Sequence, residues 1–149
     1  MSLVIDSSVA LSWCFEDERT PATTDLLTQI TEAGAIAPAL WPLEVLNALA
    51  MAQRRKRLDA TQRQRLAGFL HDLPITLDHE TANQAWLFTT QLAEEFRLTI
   101  YNAAYLELAQ RLNLPLATLD LELRAAATAL NVPLLGKVDD GSSTVDSLL

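Results

Sequence analysis

Short apolar runs alternate with longer segments of helical spacing along the whole chain. The runs are LVI at residues 3–5, AIAP at 35–38, PITLD at 74–78 and PLATL at 115–119, and PLLGKV at 133–138 allows a fifth. Between them, apolar residues recur every three to four positions, as in amphipathic helices. Strands that alternate with helices favour right-handed crossovers and a parallel sheet covered by helices. We therefore predict an α/β fold, a three-layer α/β/α sandwich around a mainly parallel sheet of four or five short strands.

Capping residues indicate where the helices begin. Thr20 followed by Pro21 is a strong helix start, and Gly34 marks the end of that helix. The segment HETANQAWLFTTQLAEEF predicts a long helix that begins at a cap on Asp78. The other predicted helix starts are Pro42, Asp59, Thr99 and Asp120.

The length of 149 residues suits one domain with a sizeable core. Half of the residues are hydrophobic and 20% are charged, which is an ordinary globular composition. We find no repeat, low-complexity segment or linker. The sequence therefore predicts one domain over residues 1–138, followed by the polar tail DDGSSTVDSLL at 139–149.

Cysteine usage and the apolar segments indicate a cytoplasmic protein. The single cysteine, Cys14, excludes an internal disulfide and a zinc site built from several thiolates. The start MSLVIDSSVA lacks the basic region of a signal peptide. The longest apolar stretch, residues 33–43, is short and contains two prolines, so we expect no membrane helix.

The charge of the chain is acidic overall but uneven. A net charge of −8 counts against a nucleic-acid binder with a basic face. Six of the 11 basic residues nevertheless fall in one window, namely Arg54, Arg55, Lys56, Arg57, Arg63 and Arg65. This window is either a solvated helix end or a contact surface for phosphate or an acidic partner, with Arg54, Arg55 and Arg57 as its candidates.

Four polar residues stand where a parallel sheet would carry a site. Asp6 and Asp120 each follow a predicted strand, and adjacent parallel strands share a crevice at their carboxyl ends. Glu44 lies in a first helical turn among apolar neighbours, where a half-buried carboxylate needs a partner. Asn102 occupies the capping-box position after Thr99. Taken singly, each residue is also explained by helix capping or the helix dipole.

Other chemistries lack support in the sequence. The motifs GxGxxG, GxxxxGK[ST] and GxSxG are absent. His71 and His79 lie at predicted helix edges beside acids and are expected on the surface, whereas Cys14 is expected in the core. The three tryptophans fit either the core or an interface; they are Trp13, Trp41 and Trp86.

Considered together, these segments resemble the PIN-domain ribonucleases, in particular the VapC-type toxins of toxin–antitoxin pairs. VIDSSVAL resembles the opening strand of the family with its aspartate and following hydroxyl residues. LEVLNAL resembles the helix-borne glutamate with an asparagine one turn on. LTIYNAAYLELAQRLNLPLATLDLEL is similar to the family segment with YDA and TLD. Each piece alone is weak, but the ordered set covers most of the chain.

The resemblance implies a Mg²⁺- or Mn²⁺-dependent endoribonuclease with an RNA substrate, a homodimeric state and a small antitoxin as partner. It implies a metal-binding and catalytic cluster of Asp6, Glu44, Asn102 and Asp120, with the hydroxyls of Ser8 and Thr118 close by. Hard divalent cations prefer such oxygen ligands and keep several waters. A bound cation would also allow an acidic site to accept anionic RNA.

The sequence departs from the family pattern at Asn102, where the family has aspartate. An amide oxygen can still coordinate a hard cation, but it brings no charge. The lost charge is worth up to about 4 kcal/mol at ~4 Å with an effective dielectric of ~20, so we expect weakened activity. Two alternatives stay open, namely a non-catalytic PIN-like module that binds RNA or a partner, and an unrelated small-molecule enzyme with an acid pair.

Overall fold

The computed structural model of the protein describes residues 3–137 and Asp140. Its centre is a five-stranded sheet formed by β1 (Val4–Ile5), β2 (Ala35–Pro38), β3 (Ile75–Asp78), β4 (Leu116–Ala117) and β5 (Leu134–Leu135). The strand order is β3-β2-β1-β4-β5, and every pairing is parallel. All five predicted strands are therefore present, with β1 and β4 next to each other in the sheet.

Helices follow the strands and complete the predicted three-layer α/β/α sandwich, which the structure confirms. They are α1 (Ser7–Ser12), α2 (Pro21–Ala33), α3 (Trp41–Arg54), α4 (Ala60–Asp72), α5 (Thr81–Gln84), α6 (Thr90–Phe96), α7 (Ile100–Leu112) and α8 (Leu121–Ala129). A 3₁₀ turn covers Glu16–Glu18, and a π-helical segment, Ala85–Thr89, joins α5 to α6 without a break.

Most of the predicted caps are confirmed. Thr20 and Thr23 form a reciprocal capping box at the start of α2, which ends before Gly34. The caps of the three later helices are also as predicted; they are Asp59, Thr99 and Asp120. Helix α3 begins at Trp41, one residue before the predicted start at Pro42.

The predicted cap at Asp78 was wrong. The helix begins at Thr81, and its N-cap residue, Glu80, makes no side-chain capping bond. Asp78 instead ends β3 and is 8% exposed. Its carboxylate accepts hydrogen bonds from the guanidinium of Arg111 at 2.7 Å and from the Thr81 hydroxyl at 3.1 Å. A buried carboxylate needs such a cationic partner more than it needs a helix end.

Helix α7 is the most deeply buried helix near the sheet centre. Its residues 103–109 are all buried, and it packs against β1, β2 and β4. This buried middle leaves the first turn of α7, with the half-buried Asn102, at the border of the core. The packing of α7 against the sheet therefore fixes the position of its first turn, which carries Asn102.

The aromatic and titratable residues outside the candidate site divide as follows. Trp13 and Trp41 are core residues, whereas Trp86 in the π-helical segment is 88% exposed. Cys14 is buried as predicted, and burial raises the pKa of its thiol to about 11. The two histidines, His71 and His79, are exposed as expected.

The predicted domain boundary and the tail at 139–149 lie outside the described residues, apart from Asp140. The Asp140 carboxylate is paired with the guanidinium of Arg124. Within the described part of the chain, none of the helices combines the length and the apolar character needed to cross a membrane.

Candidate active site

Adjacent parallel strands bring Asp6 and Asp120 to one edge of the sheet. Strands β1 and β4 pair with Ile5 opposite Ala117, and the backbone N–H of Asp6 donates to the Ala117 carbonyl at 3.1 Å. The backbone leaves the sheet in the same direction after each of these two strands. The two acids that the sequence places after strands are therefore neighbours at the carboxyl edge, where ligands of such sheets bind.

Each of the two aspartates also caps a helix. The Asp6 carboxylate accepts from the backbone N–H of Val9 at 3.2 Å, at the start of α1. The Asp120 carboxylate accepts from the backbone N–H of Leu123 at 2.8 Å, at the start of α8. Capping fixes the orientation of both carboxylates, so the capping interpretation and the site interpretation are compatible.

Two hydroxyl groups connect the aspartates. Asp6, which is 3% exposed, accepts from the Ser8 hydroxyl at 2.6 Å and from the Thr118 hydroxyl at 2.5 Å. The Thr118 oxygen in turn accepts from the backbone N–H of Asp120 at 3.1 Å, and the Ser8 oxygen accepts from that of Leu119 at 2.9 Å. The structure thus places Ser8 and Thr118 beside the acids, where the resemblance implied hydroxyls.

The electrostatics of the pair are unfavourable in the protein alone. Burial raises the pKa of Asp6 from 3.8 to about 6, against the lowering effect of its hydrogen bonds from Ser8, Thr118 and Val9, and the negative charge of Asp120 raises it further. In the described part of the chain, no lysine or arginine side chain pairs with either carboxylate. The site therefore combines two nearby acids without a cation of its own.

Glu44 has a partner that the sequence analysis missed. Its half-buried carboxylate accepts a hydrogen bond of 2.6 Å from the hydroxyl of Tyr105, which is 1% exposed. Burial, this bond and the charges of Glu44 and Asp6 raise the pKa of Tyr105, so its hydroxyl stays a donor. The available signal was spacing, because Tyr105 lies three residues after Asn102 on the same face of α7.

Asn102 serves the helix start through its backbone. Its N–H donates to the Thr99 hydroxyl oxygen at 3.0 Å. The return bond of a capping box is not formed, and the Asn102 amide hydrogen-bonds no residue among those the structure describes. The half-buried amide thus remains available. No hydrogen bond joins it to Asp6, Glu44 or Asp120 in the described part of the chain.

The donor set fits a hard divalent cation in part. The groups at this edge are carboxylate, hydroxyl and amide oxygens, which Mg²⁺ and Mn²⁺ prefer. Among the described residues, however, no three His, Cys, Asp or Glu side chains lie close enough together to hold one ion. Glu44 is turned toward Tyr105. The arrangement therefore suits an ion held by Asp6 and Asp120 and completed by waters.

Two clefts flank α1 beside the acid pair. The first, of about 620 Å³, runs from Ser8 and Leu119 to Arg55 and Arg57 and also includes Glu18; we call it the basic cleft after its two arginines. Arg57 is 3.1 Å from Asp17 and lies 4.3 Å above the ring of Phe15.

The second cleft, of about 560 Å³, runs from Ser7 and Glu44 to Asn47 and Tyr101, and we call it the aromatic cleft. Ser7 and Ser8 follow Asp6 directly, so each cleft is lined by a residue of the segment that carries Asp6. Leu11 and Ala48 line both clefts, which are therefore two sides of one surface.

A solved structure shares this fold. The chain is similar to PAE2754 from Pyrobaculum aerophilum, with a TM-score of 0.64 and 24% sequence identity over 85% of this chain and 86% of that one. At this identity the likeness concerns the fold. No curated protein matches the chain.

The sequence model of the PIN domain matches residues 3–129. This range contains β1 and β4 and every candidate residue of the acidic edge. PIN domains are generally nucleases that use divalent metal ions. Because the match spans far more than half of its length, the chain belongs to the PIN domain family.

Proposed function

We propose that this PIN domain is a divalent-metal-dependent endoribonuclease, and that it is the toxin component of a VapBC-type pair. The observation that carries the proposal is the buried Asp6 carboxylate next to Asp120, held by two hydroxyls and lacking a cationic partner among the described residues. A protein that keeps two acids together in this way gains from a bound cation.

Each residue of the edge has a distinct task in this proposal. Asp6 and Asp120 bind Mg²⁺ or Mn²⁺, while Ser8 and Thr118 orient Asp6. An ion held by these two aspartates would supply charge that polarises the scissile phosphate and would lower the pKa of a water for in-line attack. Glu44, oriented by Tyr105, faces the same region and can position that water or accept its proton.

The basic cleft supports RNA as the substrate. It leads from Ser8 toward Arg55 and Arg57, and Arg54 is exposed at the end of α3 next to it. Phosphates of a bound strand would lie along this cleft, which offsets the acidic charge of the chain as a whole. Replacement of all three arginines by Gln should weaken RNA binding and flatten its salt dependence.

The neutral side chain of Asn102 should lower the nuclease activity, and the same observation supports a second candidate function. With a neutral residue at position 102 and Glu44 bonded to Tyr105, two acids remain for the ion. A non-catalytic module that binds RNA or a partner protein would tolerate such a depleted site. Metal-dependent cleavage separates the two candidates.

The partner surface that we propose is the exposed apolar stretch of the π-helical segment. Trp86, Leu87 and Phe88 are 88%, 52% and 54% exposed. Consecutive exposed apolar residues favour an interface, which we assign to a homodimer, while the antitoxin would cover the acidic edge. Sedimentation should show a dimer that Trp86→Glu disrupts, and a monomeric wild-type protein would contradict this assignment.

The decisive assay is cleavage of total RNA with Mg²⁺, with Mn²⁺ and with a chelator. We expect weak metal-dependent cleavage by the wild-type protein and a strong increase in Asn102→Asp. Asp6→Asn should abolish cleavage, both alone and combined with Asn102→Asp. Glu94→Gln removes one exposed acid from α6 and is the matched control. Cleavage that survives Asp6→Asn, or no cleavage by Asn102→Asp, would reject the nuclease assignment.

A further inference from the structure

The aromatic cleft differs from the basic cleft in the chemistry of its walls. Its lining within the described chain includes no lysine or arginine, and Glu44 adds a negative charge. Such a cleft disfavours a phosphate group. Its apolar wall includes Leu40 and Leu43, and the latter is 73% exposed. The cleft therefore suits a flat, neutral group that is mainly apolar.

Two side chains make the cleft more specific than an apolar groove. The ring of Tyr101 is 61% exposed at its rim. Asn47 is also exposed, and its amide hydrogen-bonds no residue of the described chain. An aromatic face offers stacking to any base, and a free amide offers both a donor and an acceptor to the edge of a base.

The position of the cleft connects it to the acid pair. Ser7, which follows Asp6, and Glu44 both belong to its lining. A group in the aromatic cleft therefore lies against the segment that carries Asp6, and we expect the neighbouring phosphates to run toward the basic cleft. This division matches one unpaired nucleotide of an RNA strand, with its base on one side of α1 and its backbone on the other.

We propose that the aromatic cleft is a nucleobase subsite, in which Tyr101 stacks on an unpaired base next to the scissile phosphate and Asn47 hydrogen-bonds its edge. This inference rests on the proposed ribonuclease function and adds a site that recognises one base of the substrate. A base in a duplex is stacked on both sides and cannot enter the cleft. The subsite therefore selects single-stranded RNA and gives Asn47 a role in base preference.

The test is binding of a short labelled RNA, measured by fluorescence anisotropy with Mg²⁺ on samples whose RNA a gel shows to be intact. Tyr101→Leu keeps an apolar side chain without the ring and should weaken binding about 5- to 100-fold. Tyr101→Phe should bind like the wild-type protein. Leu112→Ala shortens an exposed apolar side chain at the other end of α7 and is the control. Since Tyr101 is exposed, these variants should melt like the wild-type protein.

A second arm moves one abasic residue along the RNA. At one position it should weaken binding to the wild-type protein by the same factor as Tyr101→Leu, and it should have no further effect on that variant. Asn47→Leu should alter the preference among the four bases at this position. Duplex RNA should bind weakly to every variant.

The outcomes separate this inference from the function on which it rests. A wild-type protein that binds no RNA would overturn both. If it binds RNA and Tyr101→Leu binds equally well, the subsite alone is overturned, and the apolar rim then fits docking of a protein. Losses that simply add between the abasic RNA and Tyr101→Leu would also overturn the stacking contact.

Discussion

Two pairs of acids in this protein have opposite environments. Asp78 and Glu107 share the guanidinium of Arg111, at 2.7 Å from each. Among the described residues, the Asp6 carboxylate accepts hydrogen bonds from two hydroxyls and one backbone N–H, and the Asp120 carboxylate accepts one from the backbone N–H of Leu123. Burial disfavours the charged form of Asp78, but the hydrogen bonds from Arg111, Glu80 and Thr81 outweigh it, and its pKa is lowered.

The pKa of Asp6 is raised to about 6 instead. The first pair is thus complete within the chain, and Arg111 gains from it, because its bonds to Glu107 and Asp78 raise its pKa. Within the part of the chain that the structure describes, no lysine or arginine pairs with the second pair. We infer that the fold builds the Arg111 cluster for stability and keeps the Asp6–Asp120 pair ready for a cation from solution.

The largest expected effect on stability comes from removing the Arg111 guanidinium from Asp78 and Glu107. Arg111→Met leaves Asp78 and Glu107 buried without a counter-charge, and we expect the free energy of unfolding to fall by about 3–5 kcal/mol. Urea unfolding at neutral pH measures it. Arg65→Met on the exposed surface of α4 is the control and should change little. A small effect of Arg111→Met would remove the contrast between the two pairs.

Asp6→Asn should raise the free energy of unfolding of the metal-free protein, whereas Arg111→Met lowers it. The folded pKa of about 6 exceeds the unfolded value near 3.8, so the contribution of Asp6 to stability is complete below the unfolded pKa and is lost as the pH rises through about 6. A shift of about two units corresponds to an upper limit of roughly 3 kcal/mol. Asp6→Asn should therefore be more stable than the wild-type protein at pH 8 and similar at pH 4.

Unfolding curves at both pH values, with a chelator present, test this sign. Asp25→Asn on the exposed side of α2 removes an equal charge and should show no such crossover. A variant that is less stable than the wild-type protein at pH 8 would mean that the buried Asp6 carboxylate stabilises the metal-free fold.

Asn102→Asp should make the incomplete pair more dependent on metal. A third nearby acid adds repulsion, so the metal-free variant should melt below the wild-type protein. Mn²⁺ should then restore its stability by mass action, by about 2.7 kcal/mol at one hundred times the dissociation constant. If Asn102→Asp melts at the same temperature with and without Mn²⁺, position 102 serves only the start of helix α7.

Tyr105→Phe should have the smallest effect of the four. The substitution removes the buried hydroxyl that donates to Glu44, and we expect a loss of about 1.5 kcal/mol. Tyr101→Phe removes an exposed hydroxyl and is the matched control. If both variants unfold alike, the bond between Tyr105 and Glu44 contributes nothing to the fold.

The sequence predicted what local chemistry decides. AIAP is a strand with the predicted bounds, and the caps at Thr20, Thr99 and Asp120 follow from residues within four positions of each other. The sequence also predicted that Asp6 and Asp120 lie at neighbouring strand ends, because each of them directly follows a short apolar run.

The rest depended on partners far apart in the chain. Asp78 was assigned to a helix cap because its partner Arg111 lies 33 residues away. The bond from Tyr105 to Glu44 spans 61 residues. Spacing placed Tyr105 on the same face of α7 as Asn102, but local pattern did not identify either partner, because both contacts form only when α7 packs against the rest of the fold.

The central claim is that the acid pair at the carboxyl edge holds a divalent cation, and Mn²⁺-soaked crystals test it most directly. Anomalous diffraction at the manganese edge should show one ion about 2.1 Å from carboxylate oxygens of both Asp6 and Asp120. It should show none at Asp78 and Glu107, where Arg111 already supplies the charge. An empty edge at saturating Mn²⁺, or an ion that contacts neither aspartate, would contradict the account.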